Sequence, residues 1–527
     1  MNGGREARHL PLLMVAFALA SLLAYVRDAA IGSFFGNTAQ TDAYFVGTFI
    51  PTLFSALLVT ESLVPAFLPT FARYVDDPRA AGRIASATIT VATLVLGLVS
   101  IAIFGAAKSV VHVIAPTWDG PQLELATTLL RMTCLSTVAV GIGAILGAMG
   151  NARHRYLAPP LGLAISNATV AATTIALAPR LGIFAPAWGM VIGSVLYLLV
   201  QILGVFRTGF RFMPAFTAPE SALRRIGLAM VPMVLFSTLA QTMPVVERWL
   251  GSTLPAGQLS YLSYALKLMQ VPVSIISVSS SLVSFVEMSR NNAEGDVAAL
   301  RQALGRGARL LTFLLLMASV AICWLARPLV DVTLHHGRFT TEDTTITATL
   351  LAIYATAIVP AGLGVLLTRS HQARGKYWVP FRIGLLNIVI YIATALLFFD
   401  RWGIFGLAAA FPVSQVTGVL LLQLQQPPTL RTLPRGAIRH VLAMVAVAGI
   451  ASAATVGARE LAAAGASGLP GGTLIILIAG GLTTVASSLL AARFLGVAEG
   501  AIVETWLRDL ALRPFRAVGL LALRKGE

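Results

Sequence analysis

The stretch Arg180-Leu181-Gly182-Ile183-Phe184 recurs 221 residues later as Arg401-Trp402-Gly403-Ile404-Phe405. The same offset relates residues from Arg27 onward to residues from Arg248 onward. Further matches pair Pro51 with Pro272, Leu129-Leu130 with Leu350-Leu351, Gly141 with Gly362, Gly143 with Gly364, Ala152-Arg153 with Ala373-Arg374, Tyr156 with Tyr377 and Pro159 with Pro380. One offset that holds over so long a stretch indicates an internal duplication.

The composition indicates the environment of the chain. Of its 527 residues, 57% are hydrophobic and only 11% are charged, whereas soluble proteins carry about 25% charged residues. This excludes a cytosolic enzyme, a disordered chain and a secreted disulfide scaffold. The two cysteines, Cys134 and Cys323, lie far apart in apolar stretches and predict neither a disulfide nor a metal site. The sequence therefore predicts an all-α polytopic membrane protein.

Apolar runs long enough to cross about 30 Å of hydrocarbon predict fourteen transmembrane helices. They lie at residues 10–35, 43–70, 84–106, 125–149, 158–178, 182–206, 224–247, 258–287, 307–325, 346–368, 380–399, 403–423, 439–458 and 472–493. The first run is expected to remain as an uncleaved span because further spans follow at once. Each copy of the duplication holds six spans, so the two copies share one orientation, as in alternating-access transporters with parallel repeats.

The basic residues predict the orientation. The chain has 38 Lys and Arg against 22 Asp and Glu, a net charge of +16. With the N-terminus in the cytoplasm, 28 of the 38 lie in cytoplasmic segments, seven in outside loops, Arg248 among them, and three within spans. This is the positive-inside pattern, and it places both termini in the cytoplasm. Topology and anionic lipid explain the excess charge, so no nucleic-acid partner is expected.

Ionisable residues inside spans are costly, and they usually face a wet cavity or a partner. Arg27 and Asp28 interrupt span 1, Asp42 opens span 2, Glu61 lies within span 2, and Lys267 and Glu287 lie within span 8. Arg27 and Lys267, from opposite copies, predict a cationic cavity suited to an anion such as a diphosphate. The alternatives are internal pairing of Arg27 with Asp42 or Glu61, which would only fix helix packing, and a repeat without transport, as in a scaffold.

Several motifs resemble one known family. They are Tyr25-Val26-Arg27-Asp28, Phe35-Gly36, Thr41-Asp42-Ala43-Tyr44-Phe45-Val46, Pro51, Ala66-Phe67-Leu68-Pro69, Ser263-Tyr264-Ala265, Pro272, His336-Gly337-Arg338-Phe339-Thr340 and Ala373-Arg374-Gly375. On these motifs the chain resembles the MurJ (MviN) family of lipid II flippases in the MOP exporter superfamily. The match covers nearly the whole chain in order.

The resemblance implies a MATE-like fold of two parallel-related six-helix lobes and two C-terminal helices that form a lipid-facing groove. The expected domains are an N-lobe at 1–215, a C-lobe at 216–430, the lipid-facing pair at 431–495 and a cytoplasmic amphipathic tail at 496–527. The implied activity is movement of lipid II, an undecaprenyl-diphosphate-linked peptidoglycan precursor, from the inner to the outer leaflet of the cytoplasmic membrane. Alternating access without covalent catalysis is the implied mechanism.

The resemblance assigns substrate binding to Arg27, Asp42 and Lys267, the last at a position where the family has an arginine. Glu61 and Ser55 are the further substrate-binding candidates.

The chain also departs from the family pattern. Ser21 and the pair Ser55-Ala56 stand where the family often has arginines, and Thr60 stands where it has a carboxylate, one residue before Glu61. Because fewer cations hold a diphosphate less tightly, a flippase for an exopolysaccharide or another lipid-linked oligosaccharide stays an alternative.

Some family members bind sodium through an Asn and an Asp four residues apart in span 11. Asn387 matches the first, but Tyr391 replaces the second, which weakens the expectation of sodium coupling. Asn387 and Glu287 are the candidates for binding a coupling cation. The expected energy source is Na+, H+ or the membrane potential, and neither a cofactor nor a metal is expected.

The expected partners are the lipid-linked glycan, membrane lipids and the cell-wall synthesis machinery. Two rival classes stay open. A MATE-like small-molecule antiporter would share the repeat but should have a more aromatic and acidic cavity. A glycan polymerase or ligase would need a large external loop, whereas the outside loops of this chain are short.

Overall fold

The computed structural model describes residues 3–153, 155–206, 210–215, 220–431, 437–466 and 471–508. Within these ranges the regular secondary structure is helical and contains no strand. A helix forms its backbone hydrogen bonds internally, which is what a chain in hydrocarbon requires. The predicted amphipathic tail is described up to residue 508, and residues 509–527 lie outside the described part.

The first copy of the duplication forms helices α1 to α9 and a π-helical segment, Ala56–Leu63, between α2 and α3. The α-helices are α1 (Gly3–Phe35), α2 (Ala39–Ser55), α3 (Val64–Ala72), α4 (Pro78–Gly105), α5 (Ala107–Ile114), α6 (Gly120–Thr133), α7 (Ser136–Ala152), α8 (Ala158–Leu181) and α9 (Phe184–Phe206). Local sequence sets their starts. Asp77 caps α4, since its carboxylate accepts from the backbone N–H groups of Arg79 and Ala80 at 3.0 and 3.1 Å.

The second copy forms helices α10 to α16, with a second π-helical segment, Val273–Val278, between α11 and α12. The α-helices are α10 (Glu220–Gly251), α11 (Gln258–Pro272), α12 (Ser279–Ala293), α13 (Val297–Leu334), α14 (Thr341–Ala355), α15 (Ile358–Ala373) and α16 (Trp378–Leu424). Beyond the duplication lie α17 (Ala437–Ala466) and α18 (Gly472–Phe494), followed by a helix at 498–508.

The predicted spans fall largely on helical residues, but their number is not confirmed. In the described residues, twelve helices are long and apolar enough to cross a membrane, or thirteen if the bent pair α14 and α15 forms one span. Two predicted spans, 380–399 and 403–423, lie together in the 47-residue helix α16. A straight helix of that length would measure about 70 Å, more than twice the hydrocarbon thickness.

The recurring Gly-Ile-Phe stretch adopts one backbone conformation in both copies. Gly182 ends α8 with φ 56° and ψ −142°, and Gly403 interrupts α16 with φ 54° and ψ −128°. These angles belong to a region that is essentially restricted to glycine. The duplication seen in the sequence therefore includes a glycine with the same non-helical backbone conformation in each copy.

Each copy also places its π-helical segment near a matched proline. Pro51 lies in α2, five residues before Ala56–Leu63, and Pro272 directly precedes Val273–Val278. A proline supplies no backbone N–H, so the regular α-helical bond at that position is lost. π-helical turns often lie at functional sites.

The chain divides into two compact units. The first comprises Met1–Tyr264, Thr333–Thr344 and Trp402–Leu407, and the second comprises Ala265–Val332, Thr345–Arg401 and Ala408–Glu527. The domain boundaries predicted from the sequence are not tested by this division and stay a prediction.

Within the first unit, α8 and α9 pack closely through glycines. A Cβ atom on Gly189 would lie 2.1 Å from Thr173 Oγ1, and one on Gly193 would lie 2.9 Å from the carbonyl oxygen of Ser166. Both distances are too short for real atoms. Small residues four apart allow two helices in a membrane to approach in this way.

Within the second unit, the segment after α18 packs against α13. The Arg309 guanidinium lies 2.8 Å from the carboxylate of Glu499, and Val503 joins an apolar cluster with Phe313 and Met444. Trp506 on the same helix stays 53% exposed. Ile502 and Leu507 are exposed as well. The described part of the tail thus has one packed face and several exposed apolar side chains, as expected for a helix at a membrane surface.

We expect Gly193→Leu to lower the stability of the protein, because the larger side chain must push α9 away from α8. Overpacking of this kind costs about 1–3 kcal/mol. The measurement is the thermal unfolding midpoint of the purified protein in detergent.

Gly97→Leu serves as the matched control, because a Cβ atom on Gly97 meets no atom within 4 Å. An equal loss of stability in the two variants would contradict the close packing of α8 on α9.

Candidate substrate-binding site

Arg27 lies in α1 and is held by two neighbours in the first unit. Its guanidinium contacts the carboxylate of Asp28 at 2.9 Å and donates to Asn167 Oδ1 at 2.9 Å. Asn167 in turn donates to the carbonyl oxygen of Ala20 at 3.2 Å. The side chain of Arg27 is still 27% exposed. This geometry orients the cation and leaves part of it accessible.

The pairing differs from the one that the sequence suggested as an alternative. Neither Asp42 nor Glu61 is the partner of Arg27. The adjacent Asp28 is the partner, with its carboxylate 2.9 Å from the guanidinium of Arg27. Asn167 was not anticipated, since it lies in α8 and only helix packing brings it to α1.

Asp42 binds the start of another helix. Its carboxylate accepts from the backbone N–H groups of Gly257 at 2.6 Å and Ser260 at 2.8 Å, and also from the Ser260 hydroxyl. Asp42 is only 2% exposed. A carboxylate at a helix N-terminus satisfies free N–H groups and interacts favourably with the helix dipole. Asp42 therefore ties α2 to α11.

Further contacts in the first unit surround this bond. The Tyr261 hydroxyl donates to Asp343 at 2.6 Å, and the ring of Tyr264 makes edge-to-face contacts with Phe45 and Phe339, with centroids 5.2 and 6.1 Å apart. Nearby, the Arg338 N–H donates to the carbonyl oxygen of Ser33 at 2.7 Å. We name the set comprising Ser33, Asp42, Phe45, Ser260, Tyr261, Tyr264, Arg338, Phe339 and Asp343 the Asp42 cluster. It joins the ends of four helices, α1, α2, α11 and α14, and the turn between α13 and α14 that carries Arg338 and Phe339.

The three other predicted substrate-binding residues have different surroundings. Lys267 lies in α11, in the second unit, and is half-buried with interactions of its own. Glu61 is exposed on the first π-helical segment, with Gln241 at 3.5 Å. Ser55 is half-buried at the end of α2, directly before that segment. The predicted roles of all five candidates in binding substrate stay predictions.

Each of the two candidates for binding a coupling cation has a partner within the second unit. Asn387 lies in α16 and accepts from the Thr417 hydroxyl at 3.4 Å, and Tyr391 is 1% exposed. Glu287 forms a 2.6 Å ion pair with Arg306. In the described residues, no three His, Cys, Asp or Glu side chains form a group suited to a metal ion.

Arg248, the match of Arg27 in the second copy, lies in a different place from the one predicted. We expected it in an outside loop, but it lies in the last turn of α10. Its guanidinium stands 3.7 Å from the centroid of the Phe49 ring and donates to the carbonyl oxygen of Pro244 at 3.0 Å. The offset of the duplication was the signal that linked this residue to Arg27.

Comparison with known proteins identifies relatives of the chain. It is 24% identical over 416 residues to the lipid II flippase MurJ of Burkholderia cenocepacia, an alignment that covers 77% of this chain and 80% of that protein.

Two solved structures have the same fold. A structure titled lipid II flippase MurJ, inward closed conformation, superposes with a TM-score of 0.76 at 22% identity, covering 92% of this chain and 99% of that chain. A multidrug resistance MATE family transporter of the MOP superfamily, in an inward-facing conformation, superposes with a TM-score of 0.67 at 14% identity, covering 80% of this chain and all of that chain (100%). The predicted MATE-like all-helical fold is confirmed.

The model of the family described as lipid II flippase MurJ matches residues 31–471, which is most of the chain. The chain therefore belongs to the lipid II flippase MurJ family.

Proposed function

We propose that this chain moves lipid II across the bacterial inner membrane. The observation that carries the proposal is the family match over residues 31–471. The family consists of transporters, so the chain is not an enzyme, and neither the antiporter nor the exopolysaccharide alternative is favoured. The lipid-linked glycan is the substrate, and contact with the cell-wall synthesis machinery is part of the proposal.

The chain is a multi-pass inner-membrane protein, with the apolar helices that this location requires. In our proposal both termini lie in the cytoplasm, in accord with the distribution of Lys and Arg. That orientation directs the Asp42 cluster toward the outer face, because α1 then runs outward and α2 returns from the outside.

Moving a diphosphate and its sugars through hydrocarbon is expensive unless protein groups replace the lost water. Arg27 is suited to this task, since Asp28 and Asn167 orient its guanidinium while part of it stays accessible. Charge-assisted hydrogen bonds to phosphate are among the strongest available to a protein. Lys267, in the second unit, is the other cation that the sequence predicts for substrate binding. Ser55 and Glu61 supply polar groups at the first π-helical segment.

The Asp42 cluster has a separate role in this proposal. It holds the outward ends of α1, α2 and α11 together while substrate enters from the cytoplasmic side. Outward opening then requires the carboxylate of Asp42 to leave Gly257 and Ser260. Each hydrogen bond to a charged group is worth roughly 1.5–3 kcal/mol. Water that enters on opening satisfies the same groups, so the step stays reversible.

The membrane potential is the energy source that we propose. A charge that crosses the membrane gains about 2.3 kcal/mol per 100 mV. A sodium site around Asn387 lacks the acidic ligand, because Tyr391 stands in its place and is buried.

The function is tested by complementation of a strain depleted of its own lipid II flippase. We expect the wild-type chain to restore growth, and Arg27→Ala and Lys267→Ala to abolish rescue because the headgroup loses a cation. Lys267→Arg should retain rescue, since it keeps the charge. Colony counts and membrane expression by immunoblot are the measurements.

Arg180→Ala is the matched control, because Arg180 is an exposed arginine at the end of α8 and should be dispensable. Rescue by Arg27→Ala and Lys267→Ala would contradict the proposed cationic site. A well-expressed wild-type chain that fails to rescue would point to a different lipid-linked glycan.

The role of Asp42 is tested by cysteine labelling. Ser263 in α11 is 5% exposed, and its hydroxyl has no hydrogen-bond partner in the described structure, so Ser263→Cys is a mild change. In a background with Cys134→Ala and Cys323→Ala, we expect Asp42→Asn to raise labelling of Cys at 263 by a membrane-impermeant maleimide. Loss of about 1.4 kcal/mol from the closed state corresponds to a tenfold rise.

Asp77→Asn is the control, because it alters a helix cap at the opposite end of the membrane-spanning region in the proposed topology. Equal labelling in the Asp42→Asn variant and its parent would show that Asp42 does not hold this region closed.

Coupling is tested in proteoliposomes that carry fluorescent lipid II. We expect replacement of Na+ by K+ to change the flipping rate less than twofold, and collapse of the membrane potential by valinomycin with K+ to reduce it severalfold, because moving charge would lose its driving force. A rate that requires Na+ would contradict this assignment.

A further inference from the structure

The first unit contains an apolar cavity of about 580 Å³, whose lining includes neither Arg27 nor any residue of the Asp42 cluster. It is lined by side chains of α4, α7 and α9 and by residues that follow α9, among them Ile89, Thr93, Leu146, Ile202 and Phe212. Its volume lies in the range of sites that hold small ligands.

The segment 210–215 forms one wall of this cavity and is attached to α4. The Met213 N–H donates to the Ser86 hydroxyl and the Ala215 N–H donates to the Thr90 hydroxyl, both at 3.3 Å. These bonds hold Phe210, Phe212 and Pro214 at the cavity. The segment is thus attached to one face of α4 by two hydrogen bonds from its backbone to side-chain hydroxyls.

The lining of the cavity has few groups that could form hydrogen bonds with a polar ligand. The only hydroxyls among the lining residues are those of Thr90 and Thr93, and both donate to carbonyl oxygens of α4, at Ser86 and Ile89, over 2.8 and 2.7 Å. The other lining residues are Ile, Leu, Val, Phe and Pro. A ligand that fills this cavity must therefore be a hydrocarbon chain.

The duplication shows that the matched face of the second copy has a protein cover. At the offset of 221, Ile89 and Thr93 correspond to Leu310 and Leu314 in α13. Leu310 and Leu314 pack against an apolar cluster that includes Met444 of α17 and Ala491 of α18. Helices α17 and α18 have no counterpart in the first copy. Helices α17 and α18 thus cover this face in the second copy. In the first copy no such helices follow, and the matched face carries the cavity.

Two exposed arginines lie near the lining residues along the chain. Arg83 lies seven and ten residues before Thr90 and Thr93, on the same face of α4, and about 10 Å from Thr90 along the helix axis. Arg211 lies in the wall segment, two residues before the backbone bond to Ser86. Both side chains are exposed. Arginines at a membrane surface attract anionic headgroups.

We propose that this cavity binds one acyl chain of an anionic phospholipid, with its phosphate at Arg83 and Arg211. The apolar lining matches the chain, and the two arginines match the headgroup. A single acyl chain fits the volume, whereas a polyprenyl chain is several times larger. The site is separate from the path of the transported lipid, and its occupancy does not depend on the proposed flippase activity.

The test uses the full-length protein in nanodiscs that contain a phosphatidylglycerol with a diazirine in one acyl chain. Cross-linked peptides are identified by mass spectrometry. We expect labelling of α4, α9 and the segment 210–215. Ile202→Trp fills the cavity and should remove this labelling. Leu203→Trp is the matched control, because Leu203 is 70% exposed, adjacent on α9 and outside the lining.

The headgroup is tested with a phosphatidylcholine that carries the same diazirine chain. Wild-type protein should label more strongly with phosphatidylglycerol, and Arg83→Gln and Arg211→Gln should each reduce this preference about fivefold, equivalent to about 1 kcal/mol. Thermal unfolding midpoints close to wild type establish that the variants are folded.

Three results would overturn the proposal. The first is equal labelling of Ile202→Trp and wild type, which would place the lipid elsewhere. The second is equal labelling by the two phospholipids, unchanged in the arginine variants. The third is displacement of the phosphatidylglycerol label by a polyprenyl phosphate at lower concentration than by unlabelled phosphatidylglycerol, which would assign the cavity to a prenyl chain.

Discussion

Hydrocarbon provides no hydrogen-bond partner, and the structure follows from that constraint. Every polar group within the membrane must find a partner in the protein or in water that the protein admits. The backbone meets this requirement by forming helices throughout the described spans. The few charged side chains meet it by pairing, as Arg27 does with Asp28 and Asn167, and as Asp42 does with the start of α11.

Asp42 and Arg27, both in the first unit, each have partners in the protein, but they differ in how far they are buried. Asp42 is buried and its carboxylate accepts three hydrogen bonds, so it suits a structural contact that forms and breaks as a whole. Arg27 has partners but keeps an exposed fraction. It is therefore oriented by the protein and still able to receive an anion. In our proposal the two residues thus combine a closing contact, at Asp42, with a group that binds the substrate, at Arg27.

The two copies of the duplication differ in their side-chain partners and in the helices that surround them. The matched glycines Gly182 and Gly403 have closely similar backbone angles. Arg27 forms an ion pair with Asp28, whereas the guanidinium of Arg248 lies over the ring of Phe49. The flank covered by α17 and α18 in the second copy carries a cavity in the first. Divergence after duplication has changed side-chain partners and lateral contacts, whereas the backbone conformation of this matched glycine is the same in both copies.

The sequence by itself determined the membrane class, the all-helical fold, the duplication and the family, because these depend on composition, on apolar runs and on motifs that are local in the chain. It also singled out Arg27 and Asp42 as unusual charges. Only the tertiary structure decided their partners. Asn167 lies 140 residues from Arg27, and Ser260 lies 218 residues from Asp42. Such distant pairs meet only when helices pack, and packing depends on the shapes of many side chains at once, which no local pattern in the sequence records.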